Sequence, residues 1–160
     1  MASSGELLLA KKAGFPTDRI LFIGPGKTDA ELELAANLGI EAIIVESPGE
    51  LERVARIASN RGETARVGVR VNVAEQVKGF QMRMGGGPQQ FGVDEEQIHS
   101  LLGQFNGHSS IRIVGVQVYA GTQTFDVGAL VAHCHHVADL GAQMTDLLGY
   151  PLEFVDFGGG

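Results

Sequence analysis

Apolar residues in this chain fall into two alternating patterns. Short runs rich in β-branched residues occur at Ile20–Ile23, Ala42–Val45, Val67–Val71, Ile111–Val118 and Leu152–Phe157, each bounded by turn-forming residues. Runs this short with such boundaries predict strands. Between them lie segments that begin like helices. Ser3 to Glu6, Thr28 to Glu31, Ser47 to Glu50 and Asp94 to Gln97 each set a small polar side chain three residues ahead of an acid or amide. That is the spacing of a capping box, in which the two side chains satisfy the free amides of a helix start. Pro48 falls at a first helical position, where its missing amide costs nothing. A fifth helix is predicted from Asp126 to about Leu148, with Gly149 as its stop and Pro151 just beyond. Helices between successive strands imply parallel pairing, hence an α/β fold.

The ends of the chain sharpen the architecture. It opens on a helix cap with no strand before it and stops at Gly158-Gly159-Gly160, directly after a strand. About five parallel strands with open ends predict part of a (β/α)8 TIM barrel, a fold of roughly 250 residues.

Composition narrows the partners. With 44% hydrophobic and 19% charged residues in 160, the chain is globular and long enough for one domain with a core. No apolar run approaches the roughly 18 residues needed to span a bilayer, and no basic-then-apolar leader precedes Ser3. A cytoplasmic protein with no membrane partner is expected. Twelve Lys and Arg stand against 19 Asp and Glu, a net charge of -7, so binding to a phosphate backbone lacks its electrostatic term and nucleic acid is not an expected partner. The single cysteine, Cys134, rules out an internal disulfide.

Several segments invite a chemical reading. Gly24-Pro25-Gly26-Lys27-Thr28 resembles the end of a phosphate loop, but the glycine required six residues before the lysine is replaced by Leu21, inside a strand. A tight turn into a capped helix fits better. The stretch from Val73 to Phe91 has no periodic pattern and follows a strand, which places it at the carboxyl face where barrel sites are built; a surface loop is the other reading. At the chain end, Gly158, Gly159 and Gly160 follow a parallel strand, where bare backbone amides can form a nest for a phosphate dianion. A flexible tail remains the alternative. Tyr119 and Thr122, in Gln117–Gln123, present an aromatic face and a hydroxyl at another strand end, for ligand stacking or for packing. Arg70 is a cation inside an apolar strand, and facing the barrel mouth as an anion partner is preferred over flanking solvent. His133, Cys134, His135 and His136 look like a metal tract, yet on a helix His135 leaves the face shared by His133 and His136. Solvated or partly packed histidines explain the tract better, and no metal is expected.

Taken in order, Ala2–Leu7, Lys12–Pro16, Gly26–Leu32, Val45–Ser47 with Glu50-Leu51, Val69–Asn72, Gln90–Val93, Gly121–Gln123 and Asp156–Gly160 resemble the barrel of the pyridoxal-phosphate-dependent ornithine/diaminopimelate/arginine decarboxylases, an alanine-racemase-like fold. Met84–Pro88 ahead of Gln90-Phe91-Gly92 further resembles the branch found in exosortase-associated clusters and in carrier-protein-linked decarboxylases. The resemblance implies that residues 1–160 form part of a barrel that binds pyridoxal 5'-phosphate. Gly158 to Gly160 would hold the cofactor phosphate with help from Thr122, Tyr119 would stack on the pyridine ring where the family usually has histidine, and Arg70 would lie near the cofactor. Tyrosine keeps a stacking face but does not become cationic near neutral pH.

The resemblance also implies that the Schiff-base lysine belongs to a first strand upstream of Ala2, that Lys27 does not replace it, and that a C-terminal β domain completes the enzyme. The parent protein would then be a dimeric amino-acid decarboxylase whose substrate is a small molecule or is carrier-linked, and these residues alone would be inactive. A silent pyridoxal-phosphate-binding or regulatory half barrel is one alternative; an unrelated phosphate-ligand-binding barrel is another.

Overall fold

A computed structural model describes residues 1–73, 82–83, 91–119, 121–122 and 125–158. In chain order the helices are α1 (Ser4–Lys12), α2 (Asp29–Leu38), α3 (Pro48–Arg61), α4 (Ile98–Phe105) and α5 (Val127–Leu148). The strands are β1 (Leu21–Phe22), β2 (Ala42–Val45), β3 (Ala65–Asn72), β4 (Met82–Arg83), β5 (Val93–Asp94), β6 (Ile111–Val118), β7 (Gly121–Thr122) and β8 (Phe154–Asp156). One sheet runs β1-β2-β3-β6-β8 with β5 added on β3, and β4 pairs with β7 in a separate ribbon. The pairings of β1 with β2, β3 with β5 and β6 with β8 are parallel. This is the expected α/β half-barrel of parallel strands with intervening helices.

Most predicted helix starts carry the expected chemistry. Thr28 and Glu31 form a complete capping box at α2, and the Ser3 and Ser47 hydroxyls accept from the amides of Glu6 and Glu50. Asp126 caps α5 by accepting from the Ala129 amide, and Gly149 closes that helix at φ +76°, a left-handed conformation that glycine adopts at little cost. The box expected at Asp94 does not form. Asp94 belongs to β5, its carboxylate accepts from Asn72 Nδ2 at 2.7 Å, and a 3-10 turn over Glu95–Gln97 comes before α4. The cap is lost because the register that pairs Asn72 with Asp94 offers the carboxylate an amide partner instead.

The residues fall into two compact units. Met1–Gly68 and Gly107–Ile113 form one, and Val69–Asn106 and Val114–Gly160 form the other. In the first, α1 packs on α2 and α2 on α3, and the all-buried run of β2 lies in a core with Leu7, Phe22, Leu32 and Leu51. In the second, α4 packs on α5, whose buried stripe of Ala129, His133, Val137, Leu140, Met144 and Leu148 repeats at helical spacing. The two faces of β6 and β8 differ. Val116 and Val155, paired in register, face α5: a Cβ built on Gly141 would come 3.2 Å from Val155 and 3.8 Å from Val116. Gly115 pairs with Phe154, whose ring covers the glycine so closely that a Cβ there would fall 2.3 Å from it. Strand alternation puts Gln117 and Asp156, the next register pair, on that same opposite face. Among the described residues no helix is long and apolar enough to cross a membrane.

Candidate functional site

The second unit brings three of the sequence-predicted residues together at strand ends. Arg70 lies on β3, Tyr119 directly follows β6, and Gly158 follows β8 after Phe157. The Arg70 guanidinium carbon is 5.9 Å from the centre of the Tyr119 ring and 5.5 Å from that of Phe91, so a half-buried cation lies within range of two aromatic faces. Arg70 therefore meets Tyr119 itself, in addition to any anion it serves.

Gly158 has φ +75°, and a Cβ built on it would come 2.3 Å from the Val118 carbonyl oxygen and 3.0 Å from the Tyr119 Cα. Only a residue without a side chain fits so close to the end of β6. Its amide donates to Asp156 Oδ1 at 2.9 Å, and the carbonyl of the same peptide group, that of Phe157, lies 2.8 Å from His133 Nε2. A carbonyl can only accept, so Nε2 carries the proton of this bond. Sequence reading overlooked this use of His133, which is 1% exposed and so more deeply packed than expected. The rest of the histidine tract disperses: His135 is exposed, and His136 Nε2 pairs with Glu95 at 3.1 Å. Among the described residues no group of three His, Cys, Asp or Glu is arranged to hold a metal ion.

Thr122 lies on β7, opposite Met82 of β4. Its side chain, like Gly159 and Gly160, lies outside the described residues, and so does all of the predicted 73–91 loop apart from Val73, Met82, Arg83 and Phe91.

The first unit holds a polar cluster that sequence reading assigned only to a turn. Lys27 is 3% exposed, and its Nζ donates to the carbonyls of Gly24 and Ile44, both at 2.7 Å, and to the Glu50 carboxylate at 3.1 Å. Glu50 also accepts from the Glu46 amide at 2.9 Å, and Glu46 in turn accepts from the Gly24 amide at 3.2 Å. Burial pushes the Lys27 ammonium below its ordinary pKa, and the Glu50 charge opposes that shift. The turn expected in place of a P-loop is present, with Gly24 at φ +124° and Gly26 at φ +69°, and the buried ion pair holds it. Glu46 directly after the wholly apolar β2 was the one local sign of the cluster, because an acid there must find a partner.

Parallel strands carrying polar residues and a glycine turn at their carboxyl ends, flanked by helices, define the class as a half-barrel of the (β/α)8 type. The family model described as "Pyridoxal-dependent decarboxylase, pyridoxal binding domain" matches residues 1–160, and the chain belongs to that family. It is 36% identical over 160 residues to the L-glutamyl-(BtrI acyl-carrier protein) decarboxylase of Niallia circulans, covering 100% of this chain and 37% of that protein. Against the diaminopimelate decarboxylase of Aquifex aeolicus it is 34% identical over 161 residues, covering 100% of this chain and 38% of the relative. The crystal structure of diaminopimelate decarboxylase from Helicobacter pylori complexed with L-lysine superposes with a TM-score of 0.89 at 32% identity, over 99% of this chain and 40% of that one. The chain thus spans about two fifths of the length of the curated relatives it matches.

The cofactor of this family is pyridoxal phosphate. The residues present fit it: Gly158 leaves no room for a Cβ where it meets the backbone of Tyr119, and the ring of that tyrosine has the Arg70 guanidinium within cation–π range.

Proposed function

We propose that this chain provides the phosphate anchor and the ring contact of a pyridoxal-phosphate-dependent amino-acid decarboxylase. The observation that carries the reading is the seating of Gly158 against the Val118–Tyr119 backbone, so that the glycine trio starts next to the residue that bears the aromatic ring. Gly158, Gly159 and Gly160 form the phosphate turn with Thr122 assisting, Tyr119 offers one ring face to the pyridine, and Arg70 supports Tyr119. Bound there, pyridoxal phosphate supplies an electron sink for the bond pair left behind as the carboxylate departs. The protein residues bind and orient. Backbone amides would hold the dianion, and Tyr119 would offer its flat face to the pyridine ring. A catalytic lysine outside these residues and a C-terminal β domain complete the enzyme, which we read as a cytoplasmic homodimer.

The substrate class we favour is an α-amino acid held on a carrier protein, supported by the 36% identity to the carrier-protein-linked glutamyl decarboxylase and by the resemblance of Met84–Pro88. Free diaminopimelate or ornithine is the second choice, supported by the diaminopimelate decarboxylases among the relatives.

The test is carbon dioxide release by the full-length protein with pyridoxal phosphate, on free and carrier-linked amino acids. Release confirms the enzyme and names the substrate class. Tight cofactor binding with no release from any of them favours a silent pyridoxal-phosphate-binding half barrel. Absence of cofactor binding, with inorganic phosphate still retained, points to an unrelated phosphate-ligand barrel. Gly159→Val should raise the dissociation constant for pyridoxal phosphate about tenfold or more, measured by absorbance titration. Unchanged affinity would refute the glycine anchor.

A further inference from the structure

We propose that His133 is a positioning residue for the phosphate turn, and that the Gly158 amide is a fixed strut of that turn and not one of its phosphate donors. The inference rests on the reading of Gly158–Gly160 as the phosphate anchor. Its basis is a single peptide group. The Phe157 carbonyl is held by His133 Nε2 at 2.8 Å, and the Gly158 N–H of the same planar unit is held by Asp156 Oδ1 at 2.9 Å. A peptide plane fastened at both its oxygen and its nitrogen cannot rotate, so the φ of Gly158 starts from a fixed frame.

That frame comes from two elements. His133 belongs to the buried stripe of α5, and Asp156 is the last residue of β8. Helix and strand pack on one another, so the clamp ties the glycine turn to the rigid layer of the fold. The left-handed φ of +75° and the close approach to Val118 then follow at Gly158, where the chain turns against the end of β6. Because its amide is already committed to a carboxylate, an incoming dianion would have to displace a charged acceptor to use it. The donors to the phosphate are therefore groups other than the Gly158 amide. His133 acts at a distance from the phosphate, by holding the peptide plane from which the turn begins.

The experiment uses the full-length protein and compares pyridoxal phosphate with pyridoxal, which lacks the phosphate. His133→Leu keeps the volume apolar and removes the donor. It should cut the preference for the phosphorylated ligand about tenfold, with pyridoxal affinity unchanged. His133→Gln puts an amide donor at a similar reach and should restore most of the preference. A preference untouched in His133→Leu, an equal loss for both ligands, or no recovery in His133→Gln overturns the proposal. Wild-type protein that binds both ligands equally removes the phosphate reading itself, and this proposal with it; a wild-type preference that His133→Leu retains removes only the role of His133. A readout that needs no variant is hydrogen exchange in the absence of cofactor. Slow exchange at the Gly158 amide is expected from its bond to Asp156, and exchange as fast as in an open chain would overturn the clamp.

Discussion

Lys27 shows what a buried charge demands of the residues around it. Its Nζ donates to two carbonyls and a carboxylate, so the desolvation cost of the ammonium is partly offset inside the fold. Phe22 adds a ring face 5.6 Å from the nitrogen. Removing one partner is worse than removing both. Lys27→Met should destabilise the protein by about 3–5 kcal/mol, because Glu50 would remain buried beside Glu46 with its cation gone. Lys27→Met combined with Glu50→Gln should lose less than Lys27→Met alone. Urea unfolding of wild type, both single variants and the double variant checks both statements, and additive losses would contradict the pairing. At Gly158 the penalty has another source. Gly158→Ala must hold an L-residue at φ +75° with its Cβ against the Val118 carbonyl, so it should disturb cofactor affinity more than Gly26→Ala, where no atom lies within 4 Å of an added Cβ.

Glu31 joins two helix starts. Its carboxylate accepts from the Thr28 amide at 3.0 Å and hydroxyl at 2.9 Å, closing the cap of α2, and from the Ser4 amide at 3.2 Å in the first turn of α1. These bonds, first that from the Thr28 backbone, hold the group below its ordinary pKa of 4.5. A carboxylate with a lowered folded pKa contributes stability that is fully present above the unfolded value and is lost as pH falls through the folded one. Glu31→Gln should therefore be less stable than wild type at neutral pH, and the gap should close as the pH drops below 4.5. Thermal unfolding across that range is the measurement; a gap of constant size would mean the charge is not what holds the two caps together.

The same elements show what local pattern can and cannot reveal. Ser3, Thr28, Ser47 and Asp126 act on amides a few residues ahead, so sequence spacing is enough to find them. Asp94 failed as a cap because its partner, Asn72, is distant in sequence and is brought in only by strand register. The two-residue strands β4, β5 and β7 were missed for the same reason, since pairing defines them and composition does not. In the site, the strand-end positions of Arg70, Tyr119 and Gly158 were legible from pattern. The bonds from His133 to Phe157 and from Asp156 to Gly158 were not, because one depends on how α5 seats against β8 and the other on a turn geometry set by glycine.

For the molecule as a whole, the charge balance and the lysine inventory bear on how the cofactor is held. A net charge of -7 on 160 residues offers little general attraction to a phosphorylated ligand, so binding must come from local geometry, the role proposed above for the glycine trio. The chain has only four lysines: Lys11, Lys12, Lys27 and Lys78. Lys11 and Lys12 are exposed in the last turn of α1, where they favour the negative end of the helix dipole, and Lys78 lies outside the described residues. Lys27, although its lowered pKa resembles that of an activated amine, has its nitrogen committed to Gly24, Ile44 and Glu50, and attack on a carbonyl would need those bonds broken and the Glu50 charge left alone. Full-length protein loaded with one equivalent of pyridoxal phosphate and reduced with borohydride should therefore carry the label on a lysine other than Lys11, Lys12 or Lys27, as read by peptide mass mapping. Stoichiometric label on Lys27 would show that the buried pair opens to serve the cofactor, and the assignment of Lys27 to structure would have to be abandoned.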